Sequence, residues 1–210
     1  MTIKDRQRLD DHYSRLARKE GYPARSVYKL EEFDMKYKLF RPGLKVLDLG
    51  CAPGGWTLYA AGKVGPRGLV VGLDLNKPSS SAFPEQVKLF ESDLLAMEPE
   101  VIAPFKPFDL VLSDMAPKTT GRSEVDQSRS LELCQAAWQI AKDALKPTGA
   151  FLFKVFQSPQ ADILAKNLAP LFGRQLWLKP KATRKQSMEI FILNLKFKGH
   201  SQTGNSENRQ

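Results

Sequence analysis

Lys154 stands inside an apolar run, Phe151-Leu152-Phe153-Lys154-Val155-Phe156. A lysine in such a strand is costly to bury unless it is paired or put to use. Asp114 ends the preceding strand of the pattern and is the natural partner, since these two strands should be neighbours near the centre of a sheet. Glu189 begins the last strand and can bring a second carboxylate close; Lys29 is the fourth residue of the set. A lysine among carboxylates can orient or accept a proton. Burial and the like charge of Lys29 push its pKa down from about 10.4, while Asp114 and Glu189 push it up. The residue types alone do not say which influence wins. A salt-bridged network that only staples the strands together is the structural alternative.

Upstream, Val46-Leu47-Asp48-Leu49-Gly50-Cys51-Ala52-Pro53-Gly54-Gly55-Trp56 reads as a buried strand entering a glycine-rich turn, with a helix behind it. Glycine lets backbone approach a ligand closely, and a nucleotide-like ligand at the carboxyl end of the first strand is the expectation for an open α/β sheet. The spacing Gly50, Gly54, Gly55 is not the dinucleotide G-x-G-x-x-G, and no Gly-Lys-Ser/Thr follows to cradle a triphosphate. An adenosine cofactor without a pyrophosphate remains, and S-adenosylmethionine leads. Three aspartates stand at later strand ends. Asp74 is suited to ribose hydroxyls, Asp93 to the adenine side, and Asp114 completes the row. The candidate cofactor site is therefore Gly50, Pro53, Gly54, Gly55, Trp56, Asp74, Asp93 and Asp114. Trp56 can equally be ordinary helix packing, and Cys51 reads as a small buried spacer.

The elements that must position these groups alternate. Strands are expected at Lys45–Leu49, Leu69–Leu75, Val87–Glu91, Asp109–Ser113, Ala150–Phe156 and Glu189–Phe197. Helices are expected from about Leu9 to 20, over Tyr28–Phe40, from Trp56 to Val64, over Gln127–Leu145 and over Pro159–Leu171. Lys146-Pro147-Thr148-Gly149 reads as a turn. The result is an α/β chain with a mostly parallel sheet covered on both faces. Residues 1–44 form a basic helical extension packed on the core, 45–197 the catalytic domain, and 198–210 a disordered tail.

With 210 residues the chain suits one full core, and its formal charge of +9 favours an anionic partner such as nucleic acid. Residues 1–45 hold twelve Lys/Arg against seven Asp/Glu. The segment from Gly173 to Lys185 carries Arg174, Lys179, Lys181, Arg184 and Lys185 with no acid. Two basic runs flanking one pocket predict an RNA groove, the second overhanging the pocket mouth, with Arg25 on the first. Two cysteines, Cys51 and Cys134, fit neither a metal spacing nor a disulfide framework. No metal, no membrane span and no secretion signal are expected, which fits a cytoplasmic monomer.

Five segments carry a family resemblance: Ala24-Arg25-Ser26-Val27-Tyr28-Lys29-Leu30, Asp48 to Trp56, Ser113-Asp114-Met115-Ala116-Pro117, Phe153-Lys154-Val155-Phe156 and Ser187-Met188-Glu189. Together they resemble the FtsJ/RrmJ (RlmE) family of ribosomal RNA ribose 2′-O-methyltransferases, over about Tyr13 to Phe197. The resemblance implies a Rossmann-like methyltransferase fold with a seven-stranded sheet. It implies S-adenosylmethionine as cofactor and a catalytic tetrad of Lys29, Asp114, Lys154 and Glu189, with Lys154 as the base. It also implies a uridine of large-subunit (23S) ribosomal RNA as target. Cys51 departs from the alanine of bacterial members. A transfer-RNA ribose methyltransferase and a non-catalytic RNA-binding assembly factor are the alternatives. No Asn/Asp-Pro-Pro-aromatic follows the fourth strand, so amino-group methylation fits poorly; no Pro-Cys supports cytosine carbon-5 methylation.

Overall fold

The computed structural model describes residues 12–76, 78, 83–183 and 187–199. Helix α1 covers residues 12–19, and α2 spans Val27–Tyr37. Then follow β1 (Lys45–Leu49), α3 (Gly55–Val64), β2 (Leu69–Asp74), β3 (Val87–Glu91) and β4 (Phe108–Ser113). The chain continues through α4 (Ser123–Ala144), β5 (Leu145–Phe156), α5 (Pro159–Leu168), β6 (Phe172–Leu178) and β7 (Glu189–Phe197). One seven-stranded sheet runs in the order β3-β2-β1-β4-β5-β7-β6. Strands β1 to β5 pair in parallel, and β7 is antiparallel to both its neighbours.

The apolar runs that predict doubly covered strands explain the layering. Leu47, Leu49, Val111, Phe151 and Phe153 face the small-residue stripe of α4 and α5, including Ala137, Ala141, Ala161 and Ala165. Val46, Val70, Leu112, Leu152 and Phe191 face Val27, Leu30 and Phe33 of α2 and the buried side of α3. Small residues on α4 let it lie close to the strands; the aromatic side chains of the sheet fill the space between. Helix α2 is fastened to α3 by Trp56, whose indole Nε1 donates to Ser26 O at 2.8 Å.

Three expectations need correction. The basic segment from Gly173, expected to overhang the pocket mouth, begins within a strand that was not expected, the edge strand β6 at Phe172–Leu178. Strand β5 starts at Leu145, so the expected Lys146–Gly149 turn lies inside it as an irregular opening. The register with β4 shifts there, and Thr148 takes φ 68°. Helix α4 starts four residues earlier than its apolar periodicity suggested, at Ser123, with Glu124 and Asp126 in its first turn. Acidic residues there suit the positive end of the helix dipole. The C-terminal end of α2 is set by Lys38 in the left-handed region, and α5 gives way to a 3-10 turn at Ala169–Leu171. The expected tail beyond Gly199 and the start of the first helix lie outside the described residues.

Candidate active site

Topology brings the four distant residues together. Strands β4 and β5 are neighbours, and β7 lies on the other side of β5, with Lys154 opposite Phe191 and Phe156 opposite Glu189. Lys154 Nζ lies 2.8 Å from Asp114 Oδ1 and 3.5 Å from Glu189 Oε1. Glu189 Oε2 accepts from Lys29 Nζ at 3.0 Å, and that ammonium also stands 5.3 Å from the centre of the Phe191 ring. Lys154 makes its directed hydrogen bond to the Asp114 carbonyl oxygen, at 2.7 Å. Asp114 Oδ1 is buried, and the Lys154 ammonium 2.8 Å away is its partner.

Burial is the largest influence on Lys154 and works against its charge, yet Asp114 and Glu189 together outweigh it and hold the lysine above its ordinary value. The balance that composition left open thus falls on the ammonium side. Glu189 shows the mirror case: burial raises it, but Lys29 and Lys154 prevail and keep it below the ordinary carboxylate range.

Beside this cluster a cavity of about 670 Å³ opens at the carboxyl ends of β1 to β4. Gly50, Ala52, Asp74, Asp93, Asp114 and Met115 are among its walls. Asp114 belongs to both the cavity and the charged cluster. Gly50 has φ +75°, and a Cβ there would fall 2.3 Å from Met115 Cγ, so only glycine allows this turn to close against the next strand end. Asp74 accepts from Ala52 N at 2.9 Å and from Asn76 N at 2.8 Å, which pins the turn to the end of β2. Asp93 accepts from Leu95 N at 3.0 Å and is otherwise exposed.

Pro53, Gly54, Gly55 and Trp56 are not among the cavity walls. Gly54, at φ +109°, packs under Phe83. Trp56 is buried, tilted against Phe191 at 6.0 Å, and serves as the fastener between α2 and α3. Cys51 is also buried, and burial pushes its thiol well above the ordinary range. Among the described residues no group of three or more His, Cys, Asp or Glu is arranged to hold a metal, and no helix is long and apolar enough to cross a membrane.

The basic residues divide. Lys179 and Lys181 follow β6 at the end of the sheet that carries Glu189. Lys181 N donates to Glu32 Oε2 of α2 at 2.9 Å, and Lys179 Nζ donates to Ser187 O at 3.3 Å. Arg174 departs from the expectation. It pairs with Leu195, six residues along β7 from Glu189, which is about 20 Å at strand spacing. Becoming a strand carries it away from the pocket mouth. Arg25 is half-buried just before α2. Arg184 and Lys185 lie outside the described residues.

One residue escaped the sequence reading. Asp48 is 1% exposed in β1 and accepts from Thr57 Oγ1 at 2.6 Å. Burial pushes it up to about 7, against the Thr57 hydrogen bond and with help from Asp114 and Asp74. The signal was present: a carboxylate inside Val46-Leu47-Asp48-Leu49 invites the argument made for Lys154.

The model of the FtsJ-like methyltransferase family matches residues 22–197. A protein of Desulfatibacillum aliphaticivorans named ribosomal RNA large subunit methyltransferase E is 45% identical over 192 residues, 91% of this chain and 92% of that one. A Sorangium cellulosum protein of the same name is 42% identical over 201 residues, 96% and 94% of the two chains. A solved chain from Plasmodium falciparum, 24% identical, superposes with a TM-score of 0.73 over 85% of this chain and all of that one, which shows the shared fold. On this coverage and identity, the chain belongs to the FtsJ-like methyltransferase family.

Proposed function

We propose that this protein uses S-adenosylmethionine to methylate a ribose 2′-hydroxyl of RNA, the target being a uridine of 23S ribosomal RNA in the large subunit. The observation that carries the reading is the buried ammonium of Lys154, held between Asp114 and Glu189 at the edge of the cavity that Asp114 shares. The names of the similar proteins supply the ribosomal RNA target.

The cavity suits an adenosine cofactor: it has the volume of a small-molecule site and an acceptor carboxylate at each of three strand ends. Asp74 would take the ribose hydroxyls and Asp93 the adenine side. Gly50 and Met115, packed against each other, wall the rest of the cofactor's space. When bound, S-adenosylmethionine supplies an electrophilic methyl group on a sulfonium.

The chain's own task is to hold the 2′-oxygen in line with that methyl group, and positioning of this kind lowers the barrier. Lys154 acts as an ammonium that orients the hydroxyl oxygen. The methyl group's bond to the sulfonium would break as its bond to the 2′-oxygen forms, the neutral thioether would leave, and the hydroxyl proton would become strongly acidic. That proton would then leave late, to the carboxylate of Asp114, which stands beside the ammonium at the cavity wall. Lys29 and Glu189 hold Lys154 in place from the α2 side. RNA is held by Lys179, Lys181, Arg25 and the basic N-terminal segment. Contacts of that type act on phosphates and weaken steeply with salt.

The test is to map 2′-O-methyl positions in total RNA from cells with and without the protein, then repeat with Lys154→Ala. One large-subunit site should lose its mark in both cases. A mark that persists in cells lacking the protein would refute the target; one that persists only with the variant would remove Lys154 from the chemistry.

A further inference from the structure

A second cavity, of about 420 Å³, lies between the first turns of α4 and α5. It shares a wall with the active site through a short seam. Gln127 Nε2 donates to Gln157 O at 3.0 Å, and Gln157 N donates to Met188 O at 2.8 Å. Gln157 directly follows Phe156, the partner of Glu189 in the sheet, and Met188 directly precedes Glu189. Ser123 Oγ reaches Met188 Sδ at 3.4 Å from the same helix turn. The cavity is thus joined to the charged cluster through Gln127, Gln157 and Met188.

Its chemistry differs from that of both neighbouring sites. Leu131 and Pro159 offer apolar surface, Gln127, Ser128 and Gln160 offer amide and hydroxyl groups, and Glu124 offers an acceptor. No lysine or arginine lines it, and Glu124 disfavours an anion there. Gln127 spends its amide donor on the seam and keeps its carbonyl oxygen for a ligand. A flat ring with polar edges matches such a pocket. Unpaired RNA bases are recognised in this way, with the face on apolar surface and the edges on side-chain amides and carboxylates.

We infer that this cavity receives the base of a nucleotide adjoining the methylated one, and that Gln160, Gln127 and Glu124 read its edge. Glu124 favours a base that presents an exocyclic amino group. The inference rests on the RNA ribose methyltransferase reading and adds to it a source of sequence preference distinct from the phosphate contacts.

Steady-state methylation of large-subunit ribosomal RNA by the wild type and by Gln160→Ala tests it. The variant should raise KM for RNA roughly tenfold, the scale of one lost base contact, with the dissociation constant for S-adenosylmethionine unchanged. An unchanged KM for RNA overturns the inference. Short single-stranded RNAs with a central uridine and an abasic sugar on one side or the other provide the second arm. An abasic neighbour on one side should weaken binding to the wild type about tenfold and to Gln160→Ala less than twofold. Equal losses in both proteins also overturn it. A wild type that methylates no ribosomal RNA would refute the functional reading instead.

Discussion

Strands β4 and β5 carry a lysine–aspartate pair at each end, and the two pairs are built differently. At the amino ends Lys146 pairs with Asp109, with the lysine side chain 35% exposed. Asp109 also accepts from Lys45 N at 2.8 Å, so it ties together three elements and its acceptors are in use. At the carboxyl ends Lys154 pairs with Asp114, with the lysine side chain only 5% exposed. The outer pair is a half-solvated clasp. The inner pair keeps its charge buried, which a stability role alone does not require. Ligands gather at the carboxyl ends of parallel strands, and the difference between two similar pairs marks which end is chemical.

The comparison is best broken by removing one lysine at a time. Lys154→Ala should lower methyl transfer on the order of 10²- to 10⁴-fold, while titration shows cofactor affinity within about twofold of wild type. Asp114→Asn should act on both sides, weakening cofactor binding and lowering the rate about a hundredfold. It also takes away the carboxylate charge that raises Lys154. The activity lost as Lys154 deprotonates should therefore begin at a lower pH in the variant than in wild type, which a pH–rate profile will show.

Stability sharpens the contrast. Lys154 lies above its ordinary 10.5, so its contribution is whole below that pH and fades as pH rises through the folded value. Glu189 lies below its ordinary 4.5; its contribution is whole above that pH and fades as pH falls through the lowered value. Asp48 runs the other way, because burial favours its neutral form, and stability should decline between its ordinary 3.8 and about 7. Asp48→Asn should flatten that decline, by up to about 3 kcal/mol over the part between pH 5 and pH 8, as read from denaturation midpoints at those two pH values. The smallest effect belongs to Lys146→Met. A partly solvated pair is worth about 1 kcal/mol or less, and methyl transfer should not change.

Much of the site was legible because its residues break local rules. A lysine among phenylalanines, glycines crowded behind a strand and aspartates at strand ends each conflict with simple packing, and functional sites are where such conflicts collect. The strand β7 was read with its bounds intact, since Ile190-Phe191-Ile192-Leu193 is a solid apolar run and Leu195 and Phe197 continue it in alternation. Strand β6 was missed for the opposite reason. At the sheet edge its residues Gly173, Arg174 and Trp177 face solvent, so no two-residue alternation survives to announce it. The opening of β5 was hidden by Pro147 and Gly149, which signal a turn locally but here sit in an irregular strand start. Trp56 could not be assigned from sequence because its partner, the Ser26 carbonyl, lies 30 residues away.

The ion pair between Lys29 and Glu189 spans 160 positions of the chain. A ribosome making this protein releases α2 long before β7. The nascent polypeptide therefore remains without its assembled reaction centre until the final strand enters the sheet, and a truncated product lacking that strand has no way to modify RNA.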